Sequence, residues 1–176
     1  MLKDPKIGIM ELMQAIKDRR AIRKFKPNAI PEEKITAVLE AAIWAPYASE
    51  RWEFILVKNA EMRGKLARAA KNQKHVEEAP VDIVICSNLK GAVKRDRELY
   101  SIQEASAAIQ NLMLKAHEEG LSTCWVSDFS EGRVRRALRI PRWVRPLAII
   151  PLGYAAESPV PPMRKSLEKV LHREKY

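Results

Sequence analysis

Apolar residues recur at helical spacing in two segments near the start of the chain. Four such residues fall at positions i, i+3, i+4 and i+7: Ile9, Leu12, Met13 and Ile16. A second stripe follows Pro31, which suits the first turn of a helix, and consists of Ile35, Val38, Leu39 and Ala42. The pattern predicts two amphipathic helices, of which the second ends near Ala45-Pro46.

Short apolar runs predict four strands further along the chain. They cover residues 52–57, 81–86, 122–126 and 147–152, and the run 81–86 is apolar at nearly every position, as in a strand buried on both faces. Residues 60–70 and 131–138 predict short helices. The sequence Ser101-Ile-Gln-Glu104 fits a capping box at the start of the longest helix, which Gly120 ends.

The organisation of the chain indicates one domain that spans residues 1–176. No internal repeat or linker interrupts the alternation of predicted strands and helices. A doubly wound parallel sheet would fit that alternation. However, no Gly-x-Gly-x-x-Gly turn follows any strand, and the chain has only 6 glycines, so the dinucleotide-binding fingerprint is absent.

Composition narrows the class of protein. With 47% hydrophobic and 31% charged residues, the chain is typical of a folded globular protein and excludes disordered and collagen-like classes. It has no apolar run long enough to span a membrane and no hydrophobic signal segment, so we expect a cytoplasmic protein. Cys86 and Cys124 lie in apolar runs and are expected to be buried and reduced, and three scattered histidines offer no metal site.

The charge balance is unusual. Lysine and arginine number 32 against 22 aspartates and glutamates, which gives a net charge of +10. Such an excess fits a solvated surface of mixed sign, a nucleic-acid partner or an anionic small ligand.

Four segments carry candidate chemistry. The basic segment 19–25 offers guanidinium groups that bind phosphate bidentately, and Arg19 and Arg23 would face one anion if the helix continued through them. A solvated helix end is the alternative. The aromatic segment 44–52 joins a helix to a strand and suits either ligand binding or packing. Segments 124–129 and 162–165 are weaker candidates, the first for its backbone N–H groups and the second for its paired cations.

The order of these segments resembles that of the FMN-dependent nitroreductase family along nearly the whole chain. The matching motifs are Arg19-Arg-Ala-Ile-Arg-Lys-Phe25, Leu39-Glu-Ala-Ala-Ile-Trp-Ala-Pro46, Trp52-Glu-Phe-Ile-Leu-Val57, Ala79-Pro-Val-Asp-Ile-Val84, Ala107-Ala-Ile-Gln-Asn-Leu-Met-Leu-Lys-Ala116, Glu119-Gly-Leu-Ser-Thr-Cys-Trp125, Pro151-Leu-Gly-Tyr154, and Arg164 with Leu167-Glu-Lys-Val170. The resemblance implies an α+β fold with a mixed, largely antiparallel sheet flanked by helices. It also implies a homodimer with FMN at the subunit interface and an extended C-terminal arm that embraces the partner subunit.

The activity that the resemblance implies is a flavoprotein oxidoreductase. NADH or NADPH would pass hydride to flavin N5, and a nitroaromatic, quinone or similar acceptor would then receive it by a ping-pong route. No side chain is required as a nucleophile, because the cofactor carries the chemistry.

The resemblance also assigns roles to individual residues. Arg19 and Arg20 would bind the FMN phosphate and ribityl chain, Arg164 would complete the phosphate site, and Arg23 would lie near the N1/O2 edge of the flavin. The remaining cofactor positions are Ala21, where the family often has serine; Asn72 or Gln73 at the pyrimidine ring; and Ser127 and Asp128 at N5. The substrate pocket would be formed by Tyr47, Glu50 and Arg51, in a loop two residues shorter than is usual in the family.

A binding protein for nucleic acid or another polyanion is the alternative function. The segment from Arg133 to Arg145 holds six arginines without an acidic residue, and Trp143 among them would suit base stacking. Helical spacing of the apolar residues in this segment instead indicates a helix with a solvated arginine face. A third hypothesis is that this arginine face binds the additional phosphate of NADPH.

Overall fold

The computed structural model describes residues 11–46, 49–94 and 99–176. Six helices lie within these ranges: α1 (Leu12–Asp18), α2 (Glu32–Ile43), α3 (Ala60–Ala69), α4 (Lys74–Glu78), α5 (Ser101–Glu118) and α6 (Glu131–Leu138). The strands are β1 (Trp52–Val57), β2 (Val81–Asn88), β3 (Ser122–Thr123) and β4 (Val144–Gly153). The predicted helices and strands are thus present within a few residues of their expected bounds, and Ile9 lies outside the described residues.

The four strands form one antiparallel sheet in the order β1-β2-β4-β3. Helices cover both faces, so the expected α+β class is confirmed. A parallel bridge between Ala21 and Thr123 adds a mixed element at the β3 edge. The C-terminal arm that the family resemblance implies stays a prediction.

Strand β2 separates two hydrophobic cores because successive side chains point to opposite faces of a sheet. Ile83 and Ile85 contribute to the core beneath α2 and α5, whereas Val84 and Cys86 contribute to the core beneath α3, α4 and α6. Seven of the eight β2 residues are buried, which explains the continuous apolar run in the sequence.

The basic segment leaves α1 as an extended chain. Helix α1 ends at Asp18, and Arg19 already has an extended conformation with φ −55° and ψ 131°. The helix therefore does not continue through Arg19 and Arg23, so helical spacing does not place these two side chains on one face. The backbone N–H of Ile22 instead donates to the carbonyl of Thr123 at 3.0 Å, so the segment runs beside β3.

The extended segment packs against the end of β4 at Gly153. A Cβ atom placed on Gly153 would lie 2.8 Å from Pro80 Cδ and 2.9 Å from Phe25 Cδ1. Glycine is therefore required for this close approach, which fixes the segment after Arg23 on the sheet.

The predicted capping box at the start of α5 is wrong. Tyr100, and not Ser101, occupies the N-cap position. The carboxylate of Glu104 instead accepts hydrogen bonds from the backbone N–H groups of Ser49 at 2.7 Å and Arg51 at 3.3 Å. Glu104 thus fixes the loop at Ser49 and Arg51, which is distant in the sequence.

Residues 160–176 form an exposed tail with one short 3₁₀ turn, Leu167–Lys169. Among the described residues, no helix has the length and apolar character that a membrane crossing needs.

Candidate cofactor site

A cleft of about 150 Å³ opens where the basic segment meets β3 and the end of α5. Arg19 and Arg20 line it from the basic segment, and Thr123, His117 and Glu157 line it from β3, α5 and the chain after β4. The cleft therefore contains two of the arginines that the sequence predicts for an anionic cofactor, together with other polar residues that include two acidic ones, Asp18 and Glu157.

Several polar atoms of the residues around this cleft have no internal partner. Arg19 Nε, Thr123 Oγ1 and His117 Nε2 are buried and form no hydrogen bond within the described ranges. A buried donor or acceptor without a partner costs about 1–3 kcal/mol. A ligand that supplies acceptors for the guanidinium and the hydroxyl would remove part of this cost, so the donor set fits a phosphorylated anion.

Positive charge is concentrated at Arg19. Burial lowers the pKa of its guanidinium, and the neighbouring guanidinium groups of Arg164 and Arg20 lower it further. Arg164 of the C-terminal tail is thus near enough to Arg19 to affect its pKa, and its role at a phosphate site stays a prediction. Since three like charges repel one another here, a bound dianion would be favoured electrostatically.

Arg23 lies on the same segment and is oriented by Glu157. The Glu157 carboxylate accepts the backbone N–H of Arg23 at 2.5 Å and that of Lys24 at 3.1 Å. His75, on α4, is 6% exposed, and burial followed by the charge of Arg23 lowers its pKa. The imidazole beside Arg23 is thus favoured in its neutral form. Glu157 and His75 carry no sequence motif, and their part in the site follows only from the tertiary contacts.

A residue predicted to bind the pyrimidine ring, Gln73, contacts a residue predicted to lie at flavin N5, Asp128. The side-chain amide of Gln73 donates to the carbonyl of Asp128 at 3.2 Å, and Lys71 Nζ lies 2.7 Å from Asp128 Oδ1. Lys71 and Asn72 have φ values of 56° and 59°, a left-handed conformation uncommon for residues other than glycine. Asn72, in this tight turn after α3, is exposed.

Within the described residues, Ser127 does not line the cleft around Arg19. It lines a second cleft of about 250 Å³ together with Trp125, Ile102 and Arg145. Arg145 there forms an ion pair with Glu131 at 2.8 Å.

The predicted substrate-pocket residues lie elsewhere in the chain. Arg51 Nη1 donates to the carbonyls of Asn88 and Lys90, both at 3.3 Å, and Glu50 precedes it in an exposed turn with φ 47°. Within the described residues, neither Glu50 nor Arg51 lines the cleft around Arg19. Tyr47 lies outside the described residues.

The two cysteines are buried and free, as expected. Burial raises the pKa of Cys86 to about 12, and it also raises the pKa of Cys124. Both thiols are therefore protonated near neutral pH and are poor nucleophiles.

Comparison with known proteins gives a consistent picture. The family model described as "Nitroreductase family" matches residues 16–74 and 62–154. A protein of Methanothermobacter thermautotrophicus, provisionally named NADH dehydrogenase/NAD(P)H nitroreductase, is 38% identical over 89% of this chain and 83% of its own length. An FMN reductase [NAD(P)H] of Bacillus subtilis is 23% identical over 94% of this chain and 74% of its own length.

A solved structure agrees with these sequence matches. The crystal structure of a nitroreductase family protein from Clostridium novyi NT superposes with a TM-score of 0.79 at 29% identity, and the match covers 85% of this chain and 87% of that one. The matched residues include the basic segment, the turn after α3 and the whole sheet. The chain belongs to the nitroreductase family.

Proposed function

We propose that this chain is an FMN-dependent oxidoreductase that uses NADH or NADPH to reduce a nitroaromatic, a quinone or a similar acceptor by a ping-pong route. Membership in the nitroreductase family supports oxidoreductase chemistry. The similarity to a B. subtilis FMN reductase supports the choice of cofactor. When bound, FMN supplies a ring that accepts hydride at N5 and releases it to a second substrate.

One observation carries the cofactor assignment. Arg19 and Arg20 line one cleft, the charge of Arg164 lowers the pKa of Arg19, and the buried Nε of Arg19 has no partner within the described residues. Three guanidinium groups suit a phosphate dianion, because each offers paired N–H donors and keeps its charge at neutral pH. We therefore assign the FMN phosphate to these three arginines.

The other side chains of the site would orient and polarise the flavin. The Glu157 carboxylate fixes the backbone of Arg23, so that the Arg23 guanidinium supplies positive charge to the ring edge that becomes negative on reduction. Asn72 or Gln73 would hydrogen-bond to the pyrimidine ring, Ala21 and Ser127 would line the cofactor, and Asp128 would offer its backbone N–H near N5. The ion pair of Asp128 with Lys71 keeps this backbone in place.

A homodimer is the proposed assembly, with residues 1–176 as one domain and the tail as an arm on the partner. Large apolar side chains remain exposed on the single chain, including Trp44 at 82%, Val160 at 86% and Met163 at 99%. Burying such groups would favour association. In this proposal Tyr47, Glu50 and Arg51 line the substrate pocket of the assembled enzyme, and the enzyme works in the cytoplasm.

The absorption spectrum of the purified protein tests the proposed function. We expect flavin bands that NADH or NADPH bleaches under anaerobic conditions, and we expect Arg19→Gln to weaken FMN binding about tenfold or more, because charged hydrogen bonds contribute about 1.5–3 kcal/mol. Arg142→Gln is the matched control, since Arg142 is exposed and does not line the cleft. A colourless protein that cannot be loaded with FMN would refute the proposal.

A further inference from the structure

A large basic groove runs between α3 and α6. Its volume is about 770 Å³, within the range of about 300–1,000 Å³ that is usual for small-ligand sites. The cationic side chains that line it come from both helices: Lys65 and Arg68 from α3, and Arg133, Arg136 and Arg139 from α6 and its end. Among the residues that the structure describes, no acidic side chain lines the groove.

Glu61 balances part of this positive charge, since it interacts with Lys65 and also with Arg68. Lys65 pairs with Glu61 at 2.7 Å, and Arg133 Nη1 lies 3.5 Å from the carbonyl of Arg68. Within the described ranges, Arg68, Arg136 and Arg139 form no ion pair. These three arginines are exposed and therefore accessible to an anionic ligand.

The groove also has an apolar part, and one of its ends lies near Asp128, which the proposed function places at flavin N5. Met62, Ala69 and Leu138 line it between the arginines. At its near end, the backbone N–H of Ser130 donates to the carbonyl of Ala69 at 2.9 Å, two residues after Asp128. From Ala69 to Met62 the groove follows α3 for roughly 10 Å, at about 1.5 Å per residue. A ligand seated at Asp128 could thus extend along it.

We propose that this groove binds the adenosine 2′-phosphate end of NADPH, an inference that rests on the proposed function and names its preferred reductant. The apolar part suits the adenine ring, and Arg136 and Arg139 offer the 2′-phosphate the guanidinium contacts that distinguish NADPH from NADH. The near end, at Arg68 and Arg133, suits the pyrophosphate.

The distribution of the other arginines favours a small ligand over a nucleic acid. Arg135 Nη1 donates to the carbonyl of Pro141 at 2.8 Å, and Arg145 pairs with Glu131. The run from Arg133 to Arg145 therefore does not present one continuous charged face. A polymer backbone needs a positive track longer than this groove provides.

Calorimetry with ligand fragments tests the site without any contribution from flavin. We expect adenosine 2′,5′-bisphosphate to bind about tenfold or more tightly than adenosine 5′-monophosphate, which lacks only the 2′-phosphate. The double variant Arg136→Gln/Arg139→Gln should abolish that difference. Arg142→Gln/Lys26→Gln, which removes the same charge from exposed positions outside the groove, should preserve it.

Steady-state kinetics of the flavin-loaded protein provide the second measurement. We expect kcat/KM for NADPH to exceed that for NADH, and the groove variant to lose about tenfold in kcat/KM for NADPH with little change for NADH. Equal binding of the two adenosine fragments, or a groove variant that keeps the NADPH preference, would overturn the inference.

Two further results separate this inference from its alternatives. Retardation of a short DNA duplex that the groove variant abolishes, with no binding of the bisphosphate, would overturn it in favour of nucleic acid. A protein that binds no FMN would refute the proposed function without testing the groove. In that case, specific binding of the bisphosphate would still establish the groove as a nucleotide site.

Discussion

Asp82 is a fully buried carboxyl group in the centre of the sheet. Both of its oxygens lack a hydrogen-bond partner within the described residues, and its side chain lies on the same face of β2 as Val84 and Cys86. Burial raises the pKa of Asp82 well above its ordinary value, against a smaller opposing effect of Arg63. The folded protein therefore favours the protonated acid, and unfolding releases that proton when the solution pH exceeds the ordinary carboxyl pKa.

Substitution of Asp82 should change how stability depends on pH. Because the folded pKa is raised, the folded state binds more protons than the unfolded state, and stability falls as pH rises above about 4. We expect Asp82→Asn to stabilise the protein at pH 8 relative to wild type, by about 1.4 kcal/mol for each pH unit between the two pKa values, and to have little effect near pH 3–4. Chemical denaturation across this pH range measures the effect.

A matched surface variant controls this experiment. Asp18→Asn also removes one carboxylate, but Asp18 is exposed at the end of α1. It should leave the slope of stability against pH nearly unchanged. If Asp82→Asn showed the same slope as wild type, the carboxyl would be ionised in the folded protein and the assignment would be wrong.

At the level of helices and strands, regular hydrophobic patterns predicted the fold well. Helix α6 occupies residues 131–138 as expected, and β2 contains the predicted run 81–86. Helix α4 was missed because its five residues, Lys74–Glu78, are too few for a helical pattern. The end of α1 was misjudged because pairing of Ile22 with Thr123, a tertiary contact, competes with continuation of the helix.

The candidate site was less predictable than the fold. Basic residues in the first segment could be recognised from the sequence because several arginines lie close together. Glu157 and His75 could not, since each is an isolated residue whose role comes from contacts with Arg23 across the chain. A single acidic side chain near a strand end has no periodicity or spacing that marks it.

Glu104 illustrates how one helix residue can hold a loop. Its carboxylate accepts from the backbone N–H of Ser49, the Ser49 hydroxyl and the backbone N–H of Arg51. We expect Glu104→Ala to lower the free energy of unfolding by about 2–3 kcal/mol, because charge-assisted hydrogen bonds to the loop are lost. Limited trypsin digestion should also cut faster after Arg51.

The neighbouring position supplies the control for this variant. Gln103 is exposed on the same turn of α5, so Gln103→Ala should leave both the unfolding free energy and the cleavage rate close to wild type. Equal cleavage of the Glu104 and Gln103 variants would mean that other contacts hold the loop.

For the whole molecule, the excess positive charge has a local distribution. One group of arginines surrounds the cleft beside β3, and another lines the groove between α3 and α6. In the proposed function these two groups would bind phosphorylated ligands, so part of the excess charge would belong to two local sites rather than to a uniformly basic surface.

The exposed tail provides a test of the proposed assembly. Every residue from 160 to 176 is exposed in the single chain, so truncation after Pro159 should cost its fold little. If the tail packs on a partner subunit, burial of Val160, Met163 and Leu167 contributes about 1.5–3 kcal/mol each before entropic costs. We therefore expect truncation to raise the dimer dissociation constant about 100-fold or more. Sedimentation equilibrium measures this constant.

Full-length Arg164→Ala separates the two roles of the tail, since it should weaken FMN binding and keep the dimer. An unchanged dimer after truncation would exclude the arm.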